Sequence, residues 1–244
     1  MTTSNAPGRP VIDDLPSFAD VPAGLQPAMA EDQADQPAEP TAGFGLAVFP
    51  TTVGQYWHYL LDQDLHRAPA PRLHGFPPAA GTGLRSTPSG ALVLDEQLAT
   101  LPVTGVSWHG ALAYCRWLSD RTGRRCRLPA AVEWQYAAAG PAGWHWALGA
   151  EFDRKTYAPA ATGPRPVGAA GPSPYGLHDL TGNVFEWCAD ALSIPGAADS
   201  GSRVIKGGAY TVRNPESFDN ATVFTADELS TVPYIGFRVL AAAG

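Results

Sequence analysis

The chain is poor in charge. Only 16% of its 244 residues are Asp, Glu, Lys or Arg, against about a quarter in an average soluble domain. The formal net charge is −7 and no run or stripe of Lys and Arg occurs, which argues against a nucleic-acid partner. The densest basic stretch, Arg121, Arg124, Arg125 and Arg127, reads as a solvated helix end, where cations complement the helix dipole. Cysteine is scarce: Cys115, Cys126 and Cys188, an odd number without a CxxC. That excludes a disulfide framework and a zinc spacing. A reducing compartment would also disfavour a Cys115–Cys126 bridge. No segment reaches the roughly 18 consecutive apolar residues of a membrane span. Residues 1–10 carry no charged start followed by an apolar core. The chain is therefore expected to be soluble and cytoplasmic, with no membrane partner. No internal repeat is present.

What the chain does contain is a 45% apolar content, with 26 glycines and 24 prolines in no fixed period. This composition predicts a loop-rich globular fold with modest regular structure. Residues 1–42 are dominated by Pro, Ala, Gln and acid and read as a disordered or extended tail. Within it, residues 17–25 read as an edge strand. Residues 43–244 make the domain.

Three helices are predicted. The first has Thr52 as N-cap with Gln55 three residues on, a capping-box spacing, and Val53, Tyr56, Trp57, Leu60 and Leu61 on one face. The second is capped by Ser107, carries Trp108, Ala111, Leu112, Cys115 and Leu118 as its stripe, and stops at Gly123. The third is opened by Pro129 and ended by Gly140 and Pro141. Residues 68–90 read as a long surface loop, and the apolar runs near residues 176–190, 203–210 and 234–242 as strands. Six tryptophans, Trp108, Trp117, Trp134, Trp144, Trp146 and Trp187, are expected in the core, because aromatics dominate burial energy.

Four segments, in order, carry a resemblance: PVTGVSWHGALAYCRWLSDRTGRRCRLPAAVEWQYAAAG (102–140), GLHDLTGNVFEW (176–187), RVIKGGAY (203–210) and IGFRV (235–239). FPTTVGQYWHYL (49–60) adds an earlier helix. Together these resemble the formylglycine-generating enzyme, or sulfatase-modifying-factor, family. The resemblance implies an α+β, C-type-lectin-like fold: low regular structure, about three helices and a twisted antiparallel sheet.

The resemblance also implies chemistry. Formylglycine-generating enzymes oxidise a sulfatase cysteine with copper and oxygen, using a cysteine pair between the GG-S/A-W/Y strand and the GFR strand. Soft sulfur ligands suit Cu(I). Here the matching interval, residues 209–236, contains no Cys and no His. The copper site is expected to be absent and the chain is not expected to generate formylglycine. Tyr210, Ser217, Phe218, Asn220 and Tyr234 in that interval mix aromatic and amide groups suited to recognition, and mark an expected binding cleft. Ser217 has no base beside it in sequence to make it a nucleophile.

The GN-V-x-E-W segment implies a structural calcium held by Asn183 and Glu186 with backbone oxygens. Two readings compete with calcium: Asn183 after Gly182 suits a turn, and Glu186 can pair with Arg238 in the core. The family's other calcium loop corresponds to residues 144–168, which lack the expected Asn. Iron-using relatives carry a helical domain for which this chain is too short. His58, His66 and His74 are evenly spaced but share no helical face, so they read as surface histidines rather than an iron triad. His109, His145 and His178 each sit inside a structural motif and are read as structural.

Three functions remain. One is a binding or accessory module for a small molecule or protein. Another is an iron- or copper-dependent tailoring oxidase or oxygenase, since iron is not excluded. Formylglycine generation itself is the third and least supported.

Overall fold

In a computed structural model of the full chain, residues 15–25, 40–67, 83–159, 161–191 and 200–242 are described. Strands come first and last in the sequence and share one sheet. In chain order the elements are β1 (Phe18–Val21), β2 (Gly24–Leu25), β3 (Pro40–Thr41), β4 (Phe44–Ala47), α1 (Val53–Asp62), β5 (Leu84–Ser86), β6 (Leu92–Leu94), α2 (Trp108–Thr122), β7 (Cys126–Arg127), α3 (Ala131–Ala139), α4 (Arg154–Tyr157), β8 (Phe185–Ala191), β9 (Ser202–Lys206), β10 (Phe224–Asp227), β11 (Ile235–Gly236) and β12 (Leu240–Ala242). The fold is α+β, as expected.

Local chemistry sets the helix ends. Thr52 accepts from the Gln55 backbone N–H at 3.2 Å, and Gln55 Oε1 accepts from the Thr52 N–H at 3.1 Å, closing the capping box of α1. Ser107 caps α2, and Gly123 ends it in the left-handed region at φ +69°. α3 begins two residues after Pro129: Ala130 is its N-cap and offers no side-chain acceptor. Asp190 of β8 serves instead, accepting from the Ala131 N–H at 2.6 Å. The short α4 adds a fourth helix to the three predicted.

The expected single antiparallel sheet is two four-stranded sheets, ordered β1-β4-β12-β7 and β10-β9-β8-β11, plus two two-stranded ribbons. In the second sheet β11 runs parallel to β8. Residues 17–25 do supply an edge strand, because β1 pairs with β4 and Val21 is buried. The long loop after α1 is partly structured too: Leu84–Ser86 pairs with Leu92–Leu94 as a hairpin. The remainder of that predicted loop, residues 68–82, falls outside the described residues, as does His74.

The main core lies between α1, α2 and the sheets. Tyr56 stacks on Tyr114 at 5.8 Å, and both meet the edge of Phe237. The predicted face of α1 turns slightly: Tyr59 is buried, while Leu61 is 41% exposed. Trp134 and Trp187 are completely buried. The Trp187 indole donates to the Val106 carbonyl at 2.9 Å and so ties the second sheet to the start of α2. No helix among the described residues is long and apolar enough to cross a membrane.

Candidate functional site

The chain leaves β9 through two glycines that the packing demands. A Cβ on Gly207 would lie 2.8 Å from the Leu180 carbonyl oxygen, and one on Gly208 would lie 2.6 Å from the Phe218 ring. Both residues have positive φ, +96° and +75°. This tight passage launches the interval of residues 209–236, the expected binding cleft.

Tyr210 and Tyr234 are brought together across that interval. The Tyr210 hydroxyl donates to the Pro233 carbonyl at 3.3 Å. Burial, followed by the neighbouring Tyr234, raises the Tyr210 phenol. The Tyr234 ring faces Phe185 at 6.5 Å, and Phe185 meets Phe224 at 5.2 Å. An aromatic wall therefore lines this end. Both tyrosines are half-buried, so each keeps a surface a ligand can meet. Ser217 lies half-buried in a single 3-10 turn, Pro215–Phe218.

Phe218 and Asn220 do not line the cleft. Both are completely buried. Phe218 packs on Phe152 at 5.4 Å and fills the space left by Gly208. Asn220 is a tie: its side-chain amide donates to the Trp144 carbonyl at 2.9 Å and its backbone N–H to the His145 carbonyl at 2.7 Å. Their residue types suited recognition, but the fold uses them to lock this loop onto the one following α3.

The two residues implied for calcium are likewise held by protein groups. Asn183, at φ +65°, accepts from the Arg165 N–H at 2.9 Å and donates back to the Arg165 carbonyl at 3.1 Å. Glu186 is completely buried. One of its oxygens accepts from Arg238 Nε at 2.6 Å and Trp134 Nε1 at 2.7 Å, and the other from Arg238 Nη2 at 2.7 Å. Arg238 continues to the Ala47 and His178 carbonyls. These hydrogen bonds make a cross-tie between the sheets, and each side-chain oxygen of Asn183 and Glu186 takes part in one.

Soft-metal chemistry finds no better fit. Cys115, Cys126 and Cys188 are all buried, and burial raises each thiol above its ordinary value. All three lie outside residues 209–236. Among the described residues no cluster of three or more His, Cys, Asp or Glu is placed to hold a metal ion.

The sequence did not announce a buried lysine or a histidine–carboxylate contact. Lys206 is completely buried; its ammonium donates to Gln135 Oε1 at 3.1 Å and to the Thr222 carbonyl at 3.0 Å. Burial pushes its pKa down to about 8. His145 Nδ1 meets Asp219 Oδ2 at 2.7 Å. The partners are 74 residues apart, so no local pattern announces the pair.

A profile of the sulfatase-modifying factor enzyme 1-like domain matches residues 5–243. Serine/threonine-protein kinase pkn1 of Chlamydia pneumoniae is 34% identical over 136 residues, covering 50% of this chain and 21% of that protein. The formylglycine-generating enzyme of Thermomonospora curvata is 33% identical over 178 residues, 57% of this chain and 55% of the enzyme. The inactive C-alpha-formylglycine-generating enzyme 2 of Bos taurus is 32% identical over 163 residues, 59% of this chain and 51% of that protein. The chain thus spans from 21% to 55% of the lengths of these relatives. The solved structure of PvdO from Pseudomonas aeruginosa superposes with a TM-score of 0.71 at 20% identity, covering 95% of this chain and 96% of that one. At that identity the likeness concerns the fold.

Proposed function

The chain belongs to the sulfatase-modifying factor enzyme 1-like family, and from that premise we propose that it is a member that does not generate formylglycine and instead binds a small molecule or protein partner across the loops that follow β9. The observation that carries this reading is the absence of Cys and His from residues 209–236. A thiolate pair is the natural soft-ligand set for Cu(I), and the three thiols of this chain are buried elsewhere with their ionisation disfavoured. Similarity alone does not choose, since relatives named as active and as inactive match at 33% and 32% identity.

What remains in the interval suits recognition. Two half-buried tyrosines and an aromatic wall offer rigid contact area at low entropic cost. The loop behind them is pinned by Phe218 and Asn220, so the surface is pre-organised.

The test is incubation of the full-length protein, with copper and oxygen, with a peptide containing Cys-x-Pro-x-Arg, followed by mass spectrometry for the aldehyde. No aldehyde is expected; turnover to formylglycine would overturn the reading. Metal analysis of the purified protein addresses the alternative of iron- or copper-dependent oxidation. Stoichiometric iron or copper would replace the binding reading with that one.

A further inference from the structure

Among the described residues two histidines with side chains about half exposed meet carboxylates within 3.2 Å, and the two pairs are wired differently. His109 uses Nε2, 3.2 Å from Glu228 Oε1, and its side chain is 50% exposed. Glu228 also forms an ion pair with Arg203, so its charge is shared with a guanidinium. Occupying Nε2 leaves only Nδ1, the nitrogen crowded by its own main chain. The outer nitrogen of His109 is thus spent on a neutralised carboxylate.

His145 is the reverse case. Nδ1 faces Asp219 Oδ2 at 2.7 Å, and the side chain is 43% exposed. The other Asp219 oxygen accepts only a backbone N–H, from Ala221 at 2.7 Å. Among the described residues no guanidinium pairs with Asp219; the buried Lys206 ammonium feels its charge, but donates its hydrogen bonds to Gln135 and Thr222. A carboxylate on Nδ1 fixes the proton there and leaves the Nε2 lone pair available. Among the described residues the only side-chain polar contact of His145 is through Nδ1, and Nε2 carries no hydrogen bond.

The pair is also held rigidly. Asn220, next to Asp219 and completely buried, ties the backbone on both sides: its N–H to the His145 carbonyl at 2.7 Å and its amide to the Trp144 carbonyl at 2.9 Å. The imidazole is thus positioned by side chain and main chain from one loop, beside the Trp146 ring at 5.8 Å.

We propose that His145 is the proton-accepting group of a second site on this chain, oriented by Asp219, which takes a hydroxyl-bearing ligand through Nε2. Water is the smallest such ligand. With it, an O–H proton passes to Nε2, the oxygen attacks an electrophilic carbonyl carbon, and the leaving group departs with its bonding electrons. Asp219 is a positioning residue in this scheme. The assignment goes beyond the binding reading above and does not depend on it.

Diethyl pyrocarbonate at pH 8, with the sites followed by peptide mass spectrometry, tests the availability of Nε2. His145 should be modified about fivefold or more faster than His109 despite similar exposure. Asp219→Asn should bring His145 down to the His109 rate and leave His109 unchanged. Equal rates in the wild-type protein, or no effect of Asp219→Asn, would overturn the assignment. Nitrogen NMR of the wild-type chain is independent of how any variant folds: neutral His145 should carry its proton on Nδ1, and a proton on Nε2 would be decisive against it. Finally, 4-nitrophenyl acetate hydrolysis by the full-length chain should fall about fivefold or more in His145→Gln and stay unchanged in His109→Gln. Loss in both or neither would reject the base role.

Discussion

The Glu186–Arg238 cross-tie and the loop from Tyr210 to Tyr234 are joined through the same short strands, yet they hold their polar groups in opposite ways. At the cross-tie two opposite charges are completely buried, and every hydrogen bond runs between sequence-distant elements. In the loop the tyrosines are half-buried, and a single 3.3 Å hydrogen bond, Tyr210 to Pro233, joins its two ends. The contrast teaches where this fold tolerates change. A buried ion pair is unforgiving once formed, because deleting one partner strands the other charge without solvent. A half-exposed phenol can exchange its protein partner for water.

The largest expected effect tests that contrast directly. Arg238→Met keeps length and apolar bulk but leaves the Glu186 carboxylate with only Trp134 Nε1 as donor, and orphans the Ala47 and His178 carbonyls. The loss should be on the order of 3–5 kcal/mol in urea unfolding. A loss below about 1 kcal/mol would show that the pair is solvated and that the two regions are alike.

Lys206 gives a second, pH-dependent probe. Its folded value, about 8, lies below the ordinary lysine value of 10.5. The folded state therefore releases this proton first as pH rises. The cost of burying the ammonium is fully present below about pH 8 and is relieved between about 8 and 10.5. The buried cysteines act in the opposite sense, since their thiols are raised and the unfolded state ionises first. The informative quantity is thus the difference from Lys206→Met. Between pH 7.5 and 9.5 the wild-type chain should gain stability relative to that variant, by on the order of 1–2 kcal/mol. A flat difference would mean that the ammonium is hydrated and belongs with the exposed loop groups.

These contrasts were only partly legible in the sequence. Thr52 with Gln55, and Ser107 with Gly123, announce helix ends because capping is local chemistry within a few residues. Asn183 after Gly182 announces a turn, and both residues have positive φ. The Glu186–Arg238 pair could be named as one of two readings because both residues sit in recognisable motifs. Phe218 and Asn220 were misplaced because their interval has no periodicity, so burial there depends on Gly208 and on Trp144, partners that tertiary structure supplies. The parallel β11–β8 pairing and the His145–Asp219 pair were invisible for the same reason. Separation along the chain, rather than weak chemistry, hid them.

Ala130 shows the framework is not optimised even where it is rigid. α3 lacks a capping hydroxyl, but Asp190 covers the Ala131 N–H and Glu133 reaches back to the Ala130 N–H at 2.8 Å. The Glu133 N–H is the donor a new hydroxyl would serve. Ala130→Thr should therefore add about 1 kcal/mol in thermal unfolding. Ala130→Asp should add less, because its carboxylate would face Asp190 across the same helix start. An unchanged or lower midpoint for the threonine variant would show that Asp190 and Glu133 already saturate the cap.

Tyr210→Phe should have the smallest effect and sharpens the comparison most. It removes one hydroxyl from a half-buried ring and keeps the packing against the Tyr234 side of the loop. The Pro233 carbonyl is on an exposed residue and can accept from water instead. The cost should be about 0.5 kcal/mol or less, several-fold below that of Arg238→Met. If the two variants cost the same, the Tyr210–Pro233 hydrogen bond is part of the rigid frame and the loop is not an adaptable surface. If Tyr210→Phe leaves stability intact while weakening capture of a ligand, the hydroxyl is there to be exchanged from Pro233 to that ligand, which is the behaviour a recognition surface built on this fold requires.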